Sequence, residues 1–291
     1  MNRRLFLAGG LALGMLPARL HAADIYARVA SLARNSTGFV GVYCRTLAEG
    51  PPVVAYNADV VFPAASTIKM LIMTTAYLME ERQPGALDEK IVARRRNLIG
   101  GSTFMETLPD GARISVRDLI VPMIQVSDNT ASNALMRHFG METINATGAR
   151  VGMSGTKLAR AFLDYRAIVL HNDNVTTPRD MGTLLFSIAR GAREEEQTIV
   201  SPQHCRRMID IMLGQTDRDA IPAGLPRGTQ VANKTGEIGG TRNDVAIVEP
   251  FADSPYILAI YSKWVQNYGA VYAAMHRIAH LSYEAVGRTG A

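Results

Sequence analysis

Ser66-Thr67-Ile68-Lys69 sets a hydroxyl and an amine three residues apart, at the start of the apolar run Met70-Leu71-Ile72-Met73. On a helix that spacing puts both side chains on one face. A serine hydroxyl is a weak nucleophile and needs a base. An amine among apolar neighbours can serve once its pKa falls from about 10.4 towards roughly 7–8. A helix start also offers unpaired backbone N–H groups carrying partial positive charge. Two more groups have the same potential. Ser127-Asp128-Asn129 sits between two helical runs, and Lys234-Thr235-Gly236 ends a strand-like run before Gly239-Gly240. Each alone reads as ordinary structure: a serine N-cap with an exposed lysine, a turn, a strand-edge lysine before a hairpin. All three together, in this order, are much rarer.

The elements that must position them can be read from periodicity. Ile25, Val29 and Leu32 predict a helix over 23–34. Stretches 38–46 and 53–57 are β-rich, and Gly50-Pro51-Pro52 between them predicts a hairpin. Residues 64–220 read as mainly helical, with turns at Gly100-Gly101, Pro109-Asp110-Gly111 and Pro178. Strand-like runs follow at 230–235, 243–248 and 255–262, then a helix over 268–286. Strands at both chain ends with turn signals favour antiparallel pairing. The expected fold class is α/β: a helical lobe packed on a five-stranded antiparallel sheet flanked by terminal helices. The α/β lobe takes 23–63 and 221–291, the helical lobe 64–220. A cleft between such lobes is a natural active site.

The three motifs resemble those of class A serine β-lactamases and the related penicillin-binding proteins. The separations of 61 residues from Ser66 to Ser127 and 107 from Ser127 to Lys234 are similar to those of class A enzymes. The flanks Thr130-Ala131 and Thr176-Thr177-Pro178-Arg179-Asp180-Met181 share the resemblance, which spans nearly the whole mature chain. It implies a two-lobed fold and an acyl-serine reaction. Ser66 would attack a strained lactam carbonyl with help from Lys69. Ser127, assisted by Lys234, would relay a proton to the departing nitrogen. Asn129 would hold the substrate's side-chain amide. Lys234, Thr235 and Gly236 would face its carboxylate. The N–H groups of Ser66 and Glu237 would form an oxyanion hole, whose donors are each worth about 2.7–4 kcal/mol. It implies no metal and no organic cofactor, and a monomer acting on a small-molecule β-lactam.

Three positions depart from the family. Class A enzymes carry R-x-E-x-x-x-N after the second motif, with the Glu activating the deacylating water. This chain reads Arg160-Ala161-Phe162-Leu163-Asp164, so Phe162 takes the Glu position. Asp164, two residues on, either replaces that base or merely caps a turn or pairs with Arg160. A general base contributes about 10²- to 10⁴-fold. Without one the chain would trap a β-lactam as a penicillin-binding protein does. Glu237 stands where the family has a small residue; its carboxylate would repel an anionic substrate, face away, or pair with an arginine. Arg242 lies close to a family arginine that binds the substrate carboxylate. The alternatives to a β-lactamase are a D,D-peptidase, an amidase or esterase with a non-lactam substrate, and a non-catalytic sensor. The last would not need Ser66, Lys69, Ser127 and Lys234 together.

Composition bounds the rest. The 291 residues are 47% hydrophobic and 20% charged, which excludes a disordered chain. Arg3-Arg4, the apolar run Leu5–Leu16 and Ala22-Ala23 form a signal-peptide pattern over 1–22, pointing to the periplasm or secretion. Twelve residues are too few to span a bilayer, which needs about 20. Arg3-Arg4 with Phe6-Leu7 leaves a twin-arginine route open. Removing 1–22 takes away Arg3, Arg4 and Arg19, leaving 28 basic against 26 acidic residues, net +2. That balance and the single run Arg94-Arg95-Arg96 speak against a nucleic-acid partner. No stable membrane insertion is expected after cleavage. Cys44 and Cys205 could be bridged or could be two separate buried thiols. His276 and His280, four apart without an intervening carboxylate, read as a solvated helix face and not a metal site.

Overall fold

The computed structural model describes residues 22–193 and 198–289; the first 21 residues of the expected signal lie outside them. Nine α-helices and nine β-strands occur among the described residues. The helices are α1 Ala22–Asn35, α2 Lys69–Arg82, α3 Val116–Gln125, α4 Asn129–Phe139, α5 Met141–Val151, α6 Tyr165–Val169, α7 Pro178–Arg193, α8 Pro202–Leu213 and α9 Tyr268–Thr289. The strands are β1 Phe39–Thr46, β2 Val54–Tyr56, β3 Phe62–Pro63, β4 Lys90–Val92, β5 Arg113–Ser115, β6 Val175–Thr176, β7 Val231–Ile238, β8 Thr241–Val248 and β9 Tyr256–Lys263.

The main sheet has five antiparallel strands in the order β2-β1-β9-β8-β7. The N-terminal hairpin thus pairs with the C-terminal strand, as expected from strand signals at both chain ends. Side-chain alternation divides the sheet between two cores. Val40, Val42 and Cys44 of β1 pack with α1 and α9, while Tyr43 faces the helices of the central region. In β9, Leu258 and Ile260 take the first core and Ile257, Ala259 and Tyr261 the second. With both faces covered, β9 is an almost unbroken buried run.

Helix α2 is the axis of the other side. Lys69 through Leu78 are all buried, so its apolar residues encircle it instead of forming a stripe. Local signals start and stop its neighbours. Ser115 caps α3 through the Asp118 N–H. Pro178 and Pro202 open α7 and α8, where a missing N–H costs nothing. Gly152 closes α5 with φ of 87°. Strands β4, β5 and β6 lie inside the stretch that periodicity marks as helical, and β3, which pairs with β6, lies just before it. Two- and three-residue strands are too short for alternation to reveal.

Two sequence expectations are corrected or settled by this arrangement. Lys234-Thr235-Gly236 lies inside β7, not at its end; the strand runs on to Ile238 and turns tightly through Gly239-Gly240 into β8. Gly240 takes φ of 73°, a left-handed conformation that glycine adopts without a steric penalty. Cys44 lies between sheet and terminal helices, whereas Cys205 lies in the helical core, and both are free thiols. Burial pushes Cys44 up to about 12 and Cys205 up to about 11, so neither forms a thiolate readily. A thiol reagent is therefore expected to label neither cysteine in the native protein and both after denaturation. Native labelling of either would contradict this packing.

Candidate active site

Ser66 sits in a single 3₁₀ turn, Ala65–Ile68, that runs straight into α2. Ala65 is forced to φ of 46°, a left-handed conformation that costs a non-glycine residue about 1–2 kcal/mol. The turn is pinned from several sides. Thr67 Oγ1 donates to the Ala64 carbonyl at 2.6 Å, and the Ala64 N–H donates to the Asn174 carbonyl at 2.8 Å. Asn243 Nδ2 on β8 donates to the Pro63 carbonyl at 2.8 Å. Gly236 on β7 presses against it so closely that a Cβ there would lie 3.0 Å from the Ala64 oxygen. The glycine of the third motif is thus the residue that lets the edge strand reach the Ser66 turn.

Lys69 follows one turn later and is fully buried. Its Nζ donates to the Ser127 carbonyl at 2.6 Å, to Ser127 Oγ at 3.0 Å and to Asn129 Oδ1 at 2.8 Å. Lys234, also fully buried, donates to the same Ser127 Oγ at 3.1 Å and to the Thr235 carbonyl at 2.8 Å. One hydroxyl oxygen is therefore held between two amines. Burial and the nearby Lys234 cation drive the Lys69 pKa well below its usual value, with Asp128 opposing them. Burial lowers Lys234 to about 8, against the pull of Asp244 and Asp217. Two like charges around one oxygen disfavour double protonation. The arrangement suits an ammonium at Lys234 and a free amine at Lys69.

The Ser127–Asn129 turn is built around Asp128. Its carboxylate accepts from the N–H groups of Ala131 at 2.8 Å, Phe104 at 3.0 Å and Met105 at 2.9 Å. It caps α4 and ties that helix to the 100–105 segment. Ser127 itself takes φ of 56°, and both its carbonyl and its hydroxyl reach Lys69. Asn129 Nδ2 donates to the Gly100 carbonyl at 2.9 Å. Behind β7, Asn233 and the Ile221 N–H bond the buried Asp244 carboxyl, which burial raises to about 7.

These residues open onto a cleft of about 530 Å³. It is lined by Ser66, Ser127, Asn129, Thr235, Glu237 and Arg242 among the sequence candidates. Asp164 is not brought there. It is exposed and caps the short helix α6, accepting from the Ala167 N–H at 3.1 Å. Its carboxylate is engaged by its own turn, and it is not among the residues that line the cleft. Arg160 pairs instead with Asp173 at 2.7 Å. Phe162 lines the cleft, its ring 4.5 Å from Lys69 Nζ. Glu237 pairs with Arg242 at 2.6 Å.

Sequence reading missed Asn174, Asp217 and Tyr268 on the cleft wall. Asn174, 14 residues past Arg160, returns to accept from the Ala159 and Arg160 N–H groups at 2.7 and 3.0 Å. A larger hollow of about 600 Å³ between α1 and α9 contains none of the motif residues. Of the two histidines there, His276 bonds the Asp219 carbonyl and His280 pairs with Glu284. No group of metal-ligating side chains occurs among the described residues, and none of their helices is long and apolar enough to cross a membrane.

Comparison with known proteins agrees with this fold. The sequence model of the β-lactamase enzyme family matches residues 24–286. β-Lactamase CTX-M-25 of Escherichia coli is 27% identical over 254 residues, covering 86% of this chain and 85% of the relative. An ancestral class A β-lactamase superposes with a TM-score of 0.81 at 27% identity, covering 90% of this chain and 99% of that one. A mutant of PBP-A, solved as its acyl-enzyme complex with penicillin G, superposes equally well at 0.81 and 25% identity, covering 94% and 100%.

Asp128→Ala strands three backbone donors at once. A loss of about 3 kcal/mol in unfolding free energy is expected, measurable by denaturant titration. An unchanged midpoint would show that the turn is held by other contacts.

Proposed function

The chain belongs to the β-lactamase enzyme family, and from that premise we propose that it is an exported serine hydrolase that opens β-lactam rings through an acyl-serine intermediate, with release of the acyl group as its slow step. The observation that carries this reading is the convergence of Lys69 and Lys234 on Ser127 Oγ, beside Ser66, with a phenyl ring where a carboxylate would be needed. In the proposed reaction Ser66 Oγ forms the bond to the lactam carbonyl carbon while its proton passes to the Lys69 amine. The backbone N–H groups of Ser66 and Glu237 hold the developing oxyanion. The C–N bond then breaks, and Ser127, between the two amines, hands a proton to the nitrogen. Asn129 and Thr235 position the substrate, and Lys234 holds its carboxylate. Hydrolysis of the resulting ester requires an activated water. Phe162 supplies no base, and Asp164 is engaged at the N-terminus of α6.

The same half-reaction on a peptidoglycan stem peptide is the second reading. It is supported by Phe162 and by the likeness to PBP-A, whose mutant retains penicillin G as an acyl-enzyme. Intact-mass spectrometry after exposure to penicillin tests both. A persistent adduct on Ser66 is expected, absent in Ser66→Ala; an unmodified, folded wild-type protein would exclude the acyl-serine mechanism. Asp164→Asn is expected to leave adduct lifetime unchanged, whereas Phe162→Glu should shorten it, by up to about 10²-fold if the new carboxylate acts as base.

The lysines also set a pH dependence. Carboxylate binding needs the Lys234 ammonium, and burial lowers that group to about 8. The second-order acylation rate should therefore fall as pH rises through about 8, since it reports the free enzyme. Lys234→Arg keeps its charge and should move that decline to higher pH. An alkaline limb that stays in place would assign it to another group.

A further inference from the structure

Glu237 and Arg242 face one another across β7 and β8, and both line the Ser66 cleft. The Arg242 side chain is only 16% exposed and is set firmly in place. Its guanidinium lies 4.2 Å from the Tyr268 ring centre, and Nη1 donates to the Thr241 carbonyl at 2.9 Å. Its Nε is buried without an acceptor. Glu237 is 65% exposed and reaches in from solvent to bring Oε1 within 2.6 Å of Nη2. The partly buried cation is thus met by an exposed anion, from a residue directly after the motif proposed to bind a substrate carboxylate.

We propose that Glu237 is a selectivity residue: it occupies Arg242 as a built-in carboxylate and competes there with the carboxylate of the substrate. The inference rests on the acyl-serine reading above. An anionic acyl donor must either displace Glu237 from Arg242 or leave two carboxylates beside one guanidinium. Displacement is feasible, because an exposed carboxylate regains water when it swings out. Asp217, on the same cleft, adds to the cost of bringing in an anion. Neutral donors, and donors carrying an ammonium group near β7, meet no such competition. The site therefore discriminates by substrate charge at a position separate from the reacting carbonyl.

The test is the second-order rate of Ser66 acylation by benzylpenicillin and by its uncharged methyl ester, followed by intact mass. Four proteins are compared: wild type, Glu237→Gln, Arg242→Gln and the double variant. Glu237→Gln should raise the rate with benzylpenicillin by about 10-fold, the scale of one charge-assisted hydrogen bond. The rate with the ester should not change, and the gain should vanish when Arg242 is also replaced. An equal gain with the ester, no gain at all, or the same gain without Arg242 would each overturn the proposal; the last would reduce it to simple repulsion. Wild-type protein that neither compound acylates would instead refute the acyl-serine reading itself. Circular dichroism melts of all four proteins separate these outcomes from misfolding.

Discussion

Two buried amines share one hydroxyl oxygen, and most of the architecture around the cleft follows from making that arrangement tolerable. Taking an ammonium out of water is expensive unless it is paired or loses its proton. Lys69 and Lys234 are brought together without a carboxylate in direct contact with either. Their partners are carbonyl oxygens, an amide oxygen and Ser127 Oγ. The acids that act on them, Asp128, Asp217 and Asp244, act at longer range. Such a pair titrates as a unit, and its lower pKa leaves one member as a free base.

Holding those groups needs three separate parts of the chain to meet. Lys69 comes from the first turn of α2, Ser127 from the turn before α4, and Lys234 from the edge strand β7. Each approach depends on a local conformation that side chains ordinarily avoid or obstruct. Ala65 and Ser127 are left-handed, and Gly236 has no Cβ to hold the strand away. The strain is tolerated because neighbours fix the backbone more strongly than the local preference opposes it. Asp128 with its three N–H donors does this for one turn, and the bonds from Thr67 and Asn243 do so for the other.

The fold was largely legible because both of its periodic signals are strong. The ends of the chain alternate as strands, and the middle carries helical spacing with proline and glycine punctuation. What escaped were elements too short to show a period, such as β3 and β6, and the true end of β7. The nucleophile turn and both lysines were legible because their spacing along the chain is itself the chemical constraint. The place of Asp164 was not, because a carboxylate there reads the same whether it faces the cleft or caps a helix; the structure shows it accepting from the Ala167 N–H. Asn174, Asp217 and Tyr268 come from loops and a helix start whose approach to the cleft no local pattern encodes.

The ring of Phe162 bears on which lysine is the base. A cation–π contact at 4.5 Å favours the Lys69 ammonium, by about 0.5–2 kcal/mol. The same ring helps exclude water, and loss of hydration favours the amine. Burial is the largest influence on the Lys69 pKa and lowers it, and the Lys234 cation acts in the same direction. Phe162 therefore does not quench the base, although it stands where a carboxylate would otherwise both balance the lysine and orient water. In the proposed reaction, a ring at this position leaves the Lys69 amine as acceptor for the Ser66 proton and supplies none for attack by water. On that proposal, formation and release of the acyl group become separable, and the separation lies in a single side chain.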